Sequence, residues 1–435
     1  MATTPAPESP LGDSPPAGAA PIAPATPNGR IVLLGLLLVA YTFNFVDRQI
    51  LGILAGPIKE SLALSDTQLG LLGGLAFAIL YSTLAVPIAF LADRWSRSWV
   101  ITLSLAIWSG FTALCGVATS FGQIFLYRVG VGIGEAGGVA PSYAMIGDAF
   151  PPEQRARALS IYSLGIPLGS ALGVLAGGYI AATVDWRTAF LAVGLAGLAF
   201  APIFRLCARE PKRTVTAAAP ALPFGAVMRI LAGKRSFWLL SFGAASCSMM
   251  GYGLAFWLPS LMLRSFGLDL VGTSQFFGGL LLTAGVVGVL AGGWLGDWLG
   301  RSNKGAFAWV PAVGFTIATP LFIAGVMSSS VTAAFVLFLI PQALAYIWLA
   351  PVITAVQHLV PAMARATASA SFLLINNLIG VGFGALFIGR LSDALTPQYG
   401  SEALRMAIVG SLGFYLLSAI LLGLGGRALK DDWID

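Results

Sequence analysis

Two pairs of oppositely charged residues lie in stretches of sequence that otherwise carry no charge. Arg128 and Glu135 stand seven residues apart in LYRVGVGIGEAGG. Two turns of an α-helix, about 10.5 Å, would separate them and place both on one helix face. Asp47 and Arg48 form a second pair in FNFVDRQ. Carboxylates and guanidinium groups in apolar surroundings can form ion pairs, exchange a proton or bind an anion.

The composition of the chain predicts that these surroundings are a lipid bilayer. Of the 435 residues, 57% are hydrophobic and only 10% are charged, and the mean hydropathy is +0.86. A soluble protein carries roughly 25% charged residues. Stretches without charge recur at lengths that suit a transmembrane helix, which needs about 20 apolar residues. Six of them lie between residues 66 and 93, 157 and 185, 235 and 264, 269 and 297, 365 and 390, and 405 and 427.

Six further spans bring the predicted total to twelve. Two stretches are each long enough for a pair of spans joined by a short turn that contains serine. These are 98–150, which turns near 120–122 and contains the Arg128–Glu135 pair, and 304–358, which turns at 328–330; single spans lie near 31–58 and 187–205. The sequence therefore predicts an all-α membrane protein with twelve transmembrane helices.

The distribution of Lys and Arg predicts the orientation, because these residues accumulate in cytoplasmic loops. With the N-terminus inside, seventeen of the 24 fall in cytoplasmic segments, five fall outside, and Arg48 and Arg128 fall within the membrane. Twelve spans then place both termini in the cytoplasm. The net charge of +6 follows from this topology, so no nucleic-acid partner is expected. We expect the first span to direct insertion, and the lack of an Asn-x-Ser/Thr sequon favours a bacterial inner membrane.

Two loops that are cytoplasmic in this topology occur once in each half of the chain. FLADRWSR is matched 204 residues later by WLGDWLGR, and DAFPPEQRARA is matched 210 residues later by HLVPAMARATA. Equivalent loops at equivalent places indicate two pseudo-symmetric six-helix halves, with a central site between them and alternating access by rocking of one half against the other. The loop charges either latch the cytoplasmic ends of the helices or are ordinary loop charges. The candidates for this cytoplasmic gate are Asp93, Arg94, Arg97, Asp297, Arg301, Arg155 and Arg365.

The repeat also predicts how the chain divides. A Pro- and Ala-rich cytoplasmic tail, expected to be disordered, precedes the first half, and a basic linker joins the halves. Within the linker, FGAVMRILAGKR could form an amphipathic helix on the membrane surface, or it could be an ordinary linker made basic by the orientation bias. The predicted boundaries are 1–29 for the tail, 30–206 for the first half, 207–235 for the linker, 236–426 for the second half and 427–435 for a cytoplasmic tail.

Several of these stretches resemble a known family. The two Asp-x-x-x-Arg loops are similar to the signature of the major facilitator superfamily, although Ala89 stands where that signature has the glycine that the second copy keeps as Gly293. FNFVDRQ, LSDTQLGLL, GIGEAGGVAP and RARALSIYSLGIPLGSALG resemble, in this order, the Spinster-like branch. The resemblance implies the major facilitator fold and a secondary transporter. For eukaryotic relatives it implies export of sphingolipids or lysophospholipids.

The four charged residues within the membrane are the predicted core of the site. Charged groups facing lipid would each cost at least about 3 kcal/mol, so they should face inward and pair. Asp47 could meet Arg128 while Arg48 meets Glu135, or the partners could be exchanged. Asp47 and Glu135 are candidates for proton coupling, and Arg48 and Arg128 are candidates for a substrate headgroup or an ion pair. The alternative is a static network that fixes the first and fourth spans.

Uncharged residues predict the rest of the cavity. Polar and aromatic side chains of the second half suggest an apolar wall beside the charged pole, as an amphiphile would need; each could instead form an inter-helix hydrogen bond. The predicted lining residues are Asn44, Tyr252, Phe256, Gln342, Tyr346, Asn376 and Asn377. A four-residue glycine stripe in the fifth span predicts close packing at the interface between the halves. It consists of Gly165, Gly169, Gly173 and Gly177.

Together these observations predict a proton-coupled secondary transporter of an amphiphilic, anionic, lipid-like substrate. One alternative is a symporter of small organic anions such as sugar acids, and another is a scramblase or receptor without coupling. No Walker loop, nucleophile elbow or metal-ligand cluster occurs, and the three cysteines are scattered. We therefore expect no enzyme, no metal and no cofactor other than the coupling proton. The expected partners are the substrate and membrane lipids, and the expected state is a monomer.

Overall fold

A computed structural model describes residues 27–211, 224–300, 303–361 and 364–434, and all its regular elements are helices. The first half contains α1 (Pro27–Ile53), α2 (Ala55–Leu62), α3 (Asp66–Gly73), α4 (Leu75–Arg94), α5 (Arg97–Cys115), α6 (Phe121–Glu135), α7 (Val139–Ala149), α8 (Pro152–Ser163), α9 (Gly165–Thr183) and α10 (Trp186–Cys207). After α11 (Phe224–Ala232), the second half contains α12 (Arg235–Ser265), α13 (Leu270–Leu280), a π-helical turn (Leu281–Gly285), α14 (Val286–Gly300), α15 (Ala306–Val326), α16 (Val331–Leu344), α17 (Leu349–Gln357), α18 (Arg365–Tyr399), a 3-10 turn (Gly400–Glu402), α19 (Ala403–Ser411) and α20 (Gly413–Asp432).

Among the described residues, ten helical stretches are long and apolar enough to cross a membrane. The last, Thr367–Asp432, continues through the turn at Gly400 and so contains α18 to α20. The segment of α6 and α7, which carries Arg128 and Glu135, is not one of the ten. The protein is thus a multi-pass helical membrane protein, and the count of twelve spans stays a prediction.

Serine and aspartate side chains begin several helices, as their N-cap preference requires. Ser120 accepts a hydrogen bond from the backbone N–H of Gln123 and starts α6, and Ser330 accepts one from Ala333 and starts α16. Both serines lie where the sequence predicted a turn between two spans, so these two turns are confirmed. Most of the predicted tail, residues 1–26, lies outside the described residues, and α1 begins at Pro27.

The glycine stripe of α9 packs against α1 within the first half. A Cβ atom at Gly169 would lie 2.3 Å from the carbonyl oxygen of Thr42, and one at Gly173 would lie 2.6 Å from that of Val46. The prediction that this stripe joins the two halves is therefore wrong, because the four-residue spacing reports close packing but not the partner helix. Gly178, beside the stripe, does face the second half: its Cβ would lie 1.6 Å from Ser274 Oγ.

The linker contains the short helix α11, whose apolar side packs against the second half. Val227 and Leu231 are fully buried, and the Ser371 hydroxyl of α18 donates to Met228 Sδ at 3.3 Å. The two ends of the helix bundle are named below by residues. The Arg30 end is where α1 begins, and the Asp66 end is where α3 begins.

Candidate functional site

Arg48 of α1 and Glu135 of α6 form a buried ion pair. The Nε–H group of Arg48 donates to Glu135 Oε2 at 2.8 Å. The Glu135 side chain is completely buried, whereas 12% of the Arg48 side chain is exposed. Glu135 is the last residue of α6, and the segment Ala136–Gly138 separates it from α7. The carboxylate thus lies where a helix is interrupted inside the protein.

Three aromatic rings surround the guanidinium group of Arg48. Its Cζ atom lies 5.2 Å from the ring centroid of Phe45, 4.7 Å from that of Phe77 and 4.6 Å from that of Tyr81. Each distance is within the range of a cation–π interaction. Because Glu135 uses only the Nε–H group, the four N–H groups on the terminal nitrogens are not used by that carboxylate. Arg48 is therefore both fixed by the rings and able to bind a further anion.

Asp47 of α1 and Arg128 of α6 form the second ion pair. Arg128 Nη1 donates to Asp47 Oδ2 at 2.9 Å, and the side chains are only 3% and 1% exposed. Thr112 of α5 contacts the other oxygen, Asp47 Oδ1, through its hydroxyl. The same hydroxyl lies 2.8 Å from the carbonyl oxygen of Trp108. Since a hydroxyl carries one hydrogen, it can donate to only one of these two acceptors at a time.

The observed pairing is the first of the two arrangements that the sequence left open. Adjacent residues of a helix point about 100° apart, so Asp47 and Arg48 reach two different positions along α6. Three buried polar atoms, Glu135 Oε1, Arg128 Nε and Asn44 Oδ1, have no hydrogen-bond partner among the described residues. Removing one member of a buried ion pair typically costs about 3–5 kcal/mol. The cluster is therefore tightly coupled but incompletely satisfied.

Among the predicted lining residues of the second half, Tyr252 lies beside the charged cluster. It packs against the apolar cluster that contains Phe77, and it lies near Arg48 and Glu135. Phe256 instead fills the space above Gly73 of α3, where a Cβ atom would lie 2.4 Å from its ring. Phe256 is thus a packing residue between the halves rather than a free cavity wall.

Two of the remaining lining candidates, the adjacent asparagines, are hydrogen-bonded to each other and to a serine of α12. Ser248 Oγ of α12 donates to Asn376 Oδ1 at 2.8 Å, and Asn376 Nδ2 donates to Asn377 Oδ1 at 3.2 Å. Asn376 is buried and Asn377 is partly buried, so the two adjacent asparagines do not share one environment. Gln342 is 7% exposed and lies beside Tyr346. Asn376 therefore acts as an inter-helix hydrogen-bonding residue.

The predicted gate residues at the Arg30 end form separate contacts. Arg97 Nη1 forms an ion pair with Asp148 of α7. Arg155 Nε donates to the carbonyl oxygen of Phe150 at 3.0 Å. Sequence reasoning missed Asp148, although an acid at the end of the fourth span, just before the repeated Pro loop, was a usable signal.

The other gate candidates share no contact in the described part of the chain. The guanidinium of Arg94 lies 4.1 Å from the Phe90 ring centroid, and Arg365 Nε is buried without a hydrogen-bond partner. Arg301 lies outside the described residues, and so do the side chains of Asp93 and Asp297.

A second polar cluster, which sequence reasoning missed, joins the halves at the Asp66 end. Asp66 of α3 accepts hydrogen bonds from Lys59 of its own half and from Arg264 and Ser392 of the second half. Asp393 of α18 accepts the backbone N–H groups of Asp66 and Thr67. Lys59, Asp66, Arg264, Ser392 and Asp393 are called the Asp66 network below. The tripeptide Leu-Ser-Asp at 64–66 and again at 391–393 was a signal that could have pointed to it.

Glycines bring the two backbones together beside this network. A Cβ atom at Gly389 of α18 would lie 2.3 Å from the carbonyl oxygen of Asp66, and one at Gly70 of α3 would lie 2.5 Å from that of Ala385. Trp257 Nε1 of α12 donates to the same Ala385 carbonyl at 2.8 Å. The halves are therefore in direct contact at the Asp66 end.

Comparison with known proteins identifies the family to which this architecture is similar. A family model described as Major Facilitator Superfamily matches residues 37–385. The chain is 35% identical over 405 residues to an MFS-type efflux pump of Mycolicibacterium smegmatis, covering 89% of this chain and 92% of that protein. It is 28% identical over 422 residues to protein spinster homolog 1 of Homo sapiens, covering 89% and 80% respectively.

Solved structures agree with these relatives. The crystal structure of a bacterial homolog of the human lysosomal transporter Spinster, in an inward-facing and unoccupied conformation, superposes with a TM-score of 0.85 at 31% identity, covering 94% of this chain and 99% of that one. A D-xylose–proton symporter gives a TM-score of 0.68 at 13% identity, covering 93% and 98%. The latter likeness concerns the fold alone.

Proposed function

The chain belongs to the major facilitator superfamily as a transporter of the Spinster type, and from that premise we propose that it is a proton-coupled secondary active transporter of an amphiphilic, anionic, lipid-like substrate. Transport, rather than chemical conversion, is the proposed activity. The observation that carries the proposal is the Arg48–Glu135 ion pair. Its carboxylate is fully buried, and its guanidinium group is partly exposed and surrounded by aromatic rings.

The proposed topology has twelve spans with both termini in the cytoplasm of a bacterium. Six spans are single helices, namely α1, α5, α10, α12, α15 and α18. Six are interrupted helices: α3 with α4, α6 with α7, α8 with α9, α13 with α14, α16 with α17, and α19 with α20. The Arg30 end then faces the cytoplasm, and the contacts at the Asp66 end close the outer side. The proposed functional unit is a monomer.

Proton coupling is assigned to Glu135 and Asp47, with Glu135 as the principal site. Glu135 has one oxygen bound to Arg48 and one buried without a partner. A buried carboxylate with only one hydrogen-bond donor is poorly stabilised as an anion, so movement of Arg48 would favour the protonated form. Asp47 has partners on both oxygens, Arg128 and Thr112. This contrast supports Glu135 as the group that gains and loses a proton.

The substrate headgroup is assigned to Arg48. Protonation of Glu135 would release the guanidinium, which could then bind a phosphate or carboxylate through two parallel hydrogen bonds. The rings of Phe45, Phe77 and Tyr81 around it offer apolar contact to the first carbons of a lipid chain. A charged centre inside an aromatic cage favours an amphiphile over a sugar acid, whose hydroxyl groups would lose their hydrogen bonds there.

The test uses purified protein in liposomes with an imposed pH gradient. A fluorescent lysolipid and a labelled sugar acid are followed in the parent and in Glu135→Gln. We expect gradient-dependent movement of the lysolipid alone, lost in the variant. Movement of the sugar acid alone would overturn the substrate class. Lysolipid movement that ignores both the gradient and the substitution would overturn the proton coupling and indicate a scramblase.

A further inference from the structure

We propose that the Asp66 network exchanges ion-pair partners when the two halves separate at this end. In the observed structure, Asp66 of the first half binds Arg264 of the second. In the separated state, each half keeps a balanced pair of its own, Lys59 with Asp66 and Arg264 with Asp393. This inference rests on the alternating access of the proposed function and names the residues that would control it.

Asp66 holds one cation from each half. Arg264 donates through two nitrogens, Nη1 to Oδ2 at 2.7 Å and Nη2 to Oδ1 at 2.8 Å, in the bidentate geometry that strengthens such pairs. Lys59 Nζ, only seven residues before Asp66 in the chain, donates to Oδ1 at 2.6 Å. Ser392 Oγ donates to Oδ2 at 2.8 Å. One carboxylate therefore serves two cations, and only one of them belongs to its own half.

Asp393 is the complementary acid of the second half. Its Oδ1 accepts the backbone N–H of Asp66 at 3.1 Å, and its Oδ2 accepts the backbone N–H and the hydroxyl of Thr67 at 2.7 and 2.5 Å. These bonds are all to the first turn of α3, whose free N–H groups attract a carboxylate. None of them is to a cation. Asp393 would lose all three bonds if α3 moved away.

Charge balance makes the exchange favourable. Separation would leave Arg264 without Asp66 and Asp393 without α3, and an unpaired charge that stays largely buried is costly. Both residues now contact Asp66, from α12 and α18, which pack along each other. They are therefore close enough to pair once Asp66 has left. Lys59 keeps Asp66 neutralised in the first half, so neither half carries an unpaired charge.

The cations have room to move. A cleft of about 610 Å³ is lined by Lys59, Asp66, Arg264 and Ser392, and the exposed acid Glu60 also borders it. The Lys59 and Arg264 side chains are 34% and 24% exposed, whereas the Asp66 side chain is only 4% exposed. The carboxylate is thus the fixed point of the network, and the two cations reach water from which they can change partner.

The exchange predicts that two substitutions with the same charge change act in opposite directions. Arg264→Gln removes the bond between the halves and leaves Lys59 to neutralise Asp66, so it favours separation. Lys59→Gln leaves Asp66 without a cation only when the halves separate, so it favours contact. Each shift should be about three- to fivefold in the ratio of separated to closed molecules, as for a partly exposed ion pair.

The experiment measures the distance between spin labels across the Asp66 end in the full chain, reconstituted without substrate or pH gradient. Labels are placed at Val184→Cys and Met327→Cys, exposed positions at the ends of α9 and α15, with the exposed Cys207 changed to Ser. Gly389→Ala serves as the background, because its added Cβ disfavours contact and makes both populations visible.

Arg405→Gln is the control, since Arg405 forms an ion pair with Glu402 and donates to the Ser265 carbonyl, both of its own half. We expect a longer distance to gain population in Arg264→Gln and to lose it in Lys59→Gln, with no change in Arg405→Gln. If Lys59→Gln and Arg264→Gln shift the populations in the same direction, or not at all, the exchange is wrong. Because neither the transported substrate nor a pH gradient is present, this outcome is separate from any failure of the proposed substrate or coupling.

Discussion

Arg48 and Glu135 lie 87 residues apart in the chain, yet the Nε atom of one is 2.8 Å from a carboxylate oxygen of the other. The second oxygen of Glu135 is buried and has no hydrogen-bond partner in the described part of the chain. This asymmetry separates Glu135 from Asp47, both of whose oxygens have partners. Within the pair, Glu135 can gain a proton and lose its charge. Arg48 keeps its positive charge throughout, because arginine stays protonated in proteins.

Replacing Arg48 by Lys tests the headgroup assignment. Lysine keeps the positive charge but lacks the planar fork, and it cannot stack on the rings of Phe45, Phe77 and Tyr81 as a guanidinium group can. We expect a rise in the apparent KM for the lysolipid of about tenfold, equivalent to one charge-assisted hydrogen bond of about 1.5 kcal/mol. Initial rates of lysolipid uptake over a range of concentrations give this value.

Arg405→Lys is the matched control for that change, since Arg405 also forms an ion pair with a carboxylate, that of Glu402, and lies over an aromatic ring, that of Phe266. Its KM for the lysolipid should stay unchanged. A rise in KM of equal size in both variants would mean that loss of an ion-paired arginine perturbs the protein generally, and the headgroup assignment to Arg48 would fail.

Thr112 should be required for the stability of the Asp47–Arg128 pair. Thr112→Val keeps the shape of the side chain but leaves Asp47 Oδ1 buried without its hydroxyl partner. We expect a loss of about 1–3 kcal/mol in the free energy of unfolding, the usual cost of a buried unsatisfied polar group. Denaturant unfolding in detergent measures it.

Thr112→Ser keeps the hydroxyl and should recover most of that stability. Thr102→Val is a second comparison, because the Thr102 hydroxyl donates only to the Ser98 carbonyl of its own helix. Equal stability of Thr112→Val and the parent would show that Asp47 does not depend on this hydroxyl.

The paired charges could be predicted because the sequence isolates them. Asp47, Arg48, Arg128 and Glu135 stand alone in apolar spans, and burial forces such groups to find one another. The turns at Ser120 and Ser330 could be predicted for a similar reason, since N-cap chemistry is local. Thr112 gave no comparable signal: most Ser and Thr residues in apolar helices bond back to their own helix, and only the fold brings this one to Asp47.

The Asp66 network could not be predicted from composition or spacing. Its members lie at the ends of spans, where charged residues are expected in any membrane protein, and Asp66 and Asp393 are 327 residues apart. The prediction from the glycine stripe of α9 was wrong for a different reason. Its spacing correctly indicates close helix packing, but the choice of α1 over the second half depends on how the whole bundle is arranged.

Gly389→Ala should disfavour tight contact between the halves at the Asp66 end. The added methyl group would lie 2.3 Å from the Asp66 carbonyl oxygen, which is backbone and cannot rotate away as a side chain could. We expect α18 and α3 to move apart, with about 1–3 kcal/mol less stability, as overpacked sites typically show. Gly423→Ala in α20 is the matched control, because nothing lies within 4 Å of a Cβ atom there. Thermal unfolding of the two variants and the spin-label distance between Val184→Cys and Met327→Cys test this expectation.

The same substitution should slow transport. In the proposed cycle of alternating access, the Asp66 end closes once in every cycle, so the rate of lysolipid transport should fall in Gly389→Ala and stay at the parent level in Gly423→Ala. A Gly389→Ala variant that transports at the parent rate with an unchanged label distance would contradict this expectation. It would show that closure of the Asp66 end does not depend on backbone contact between α3 and α18.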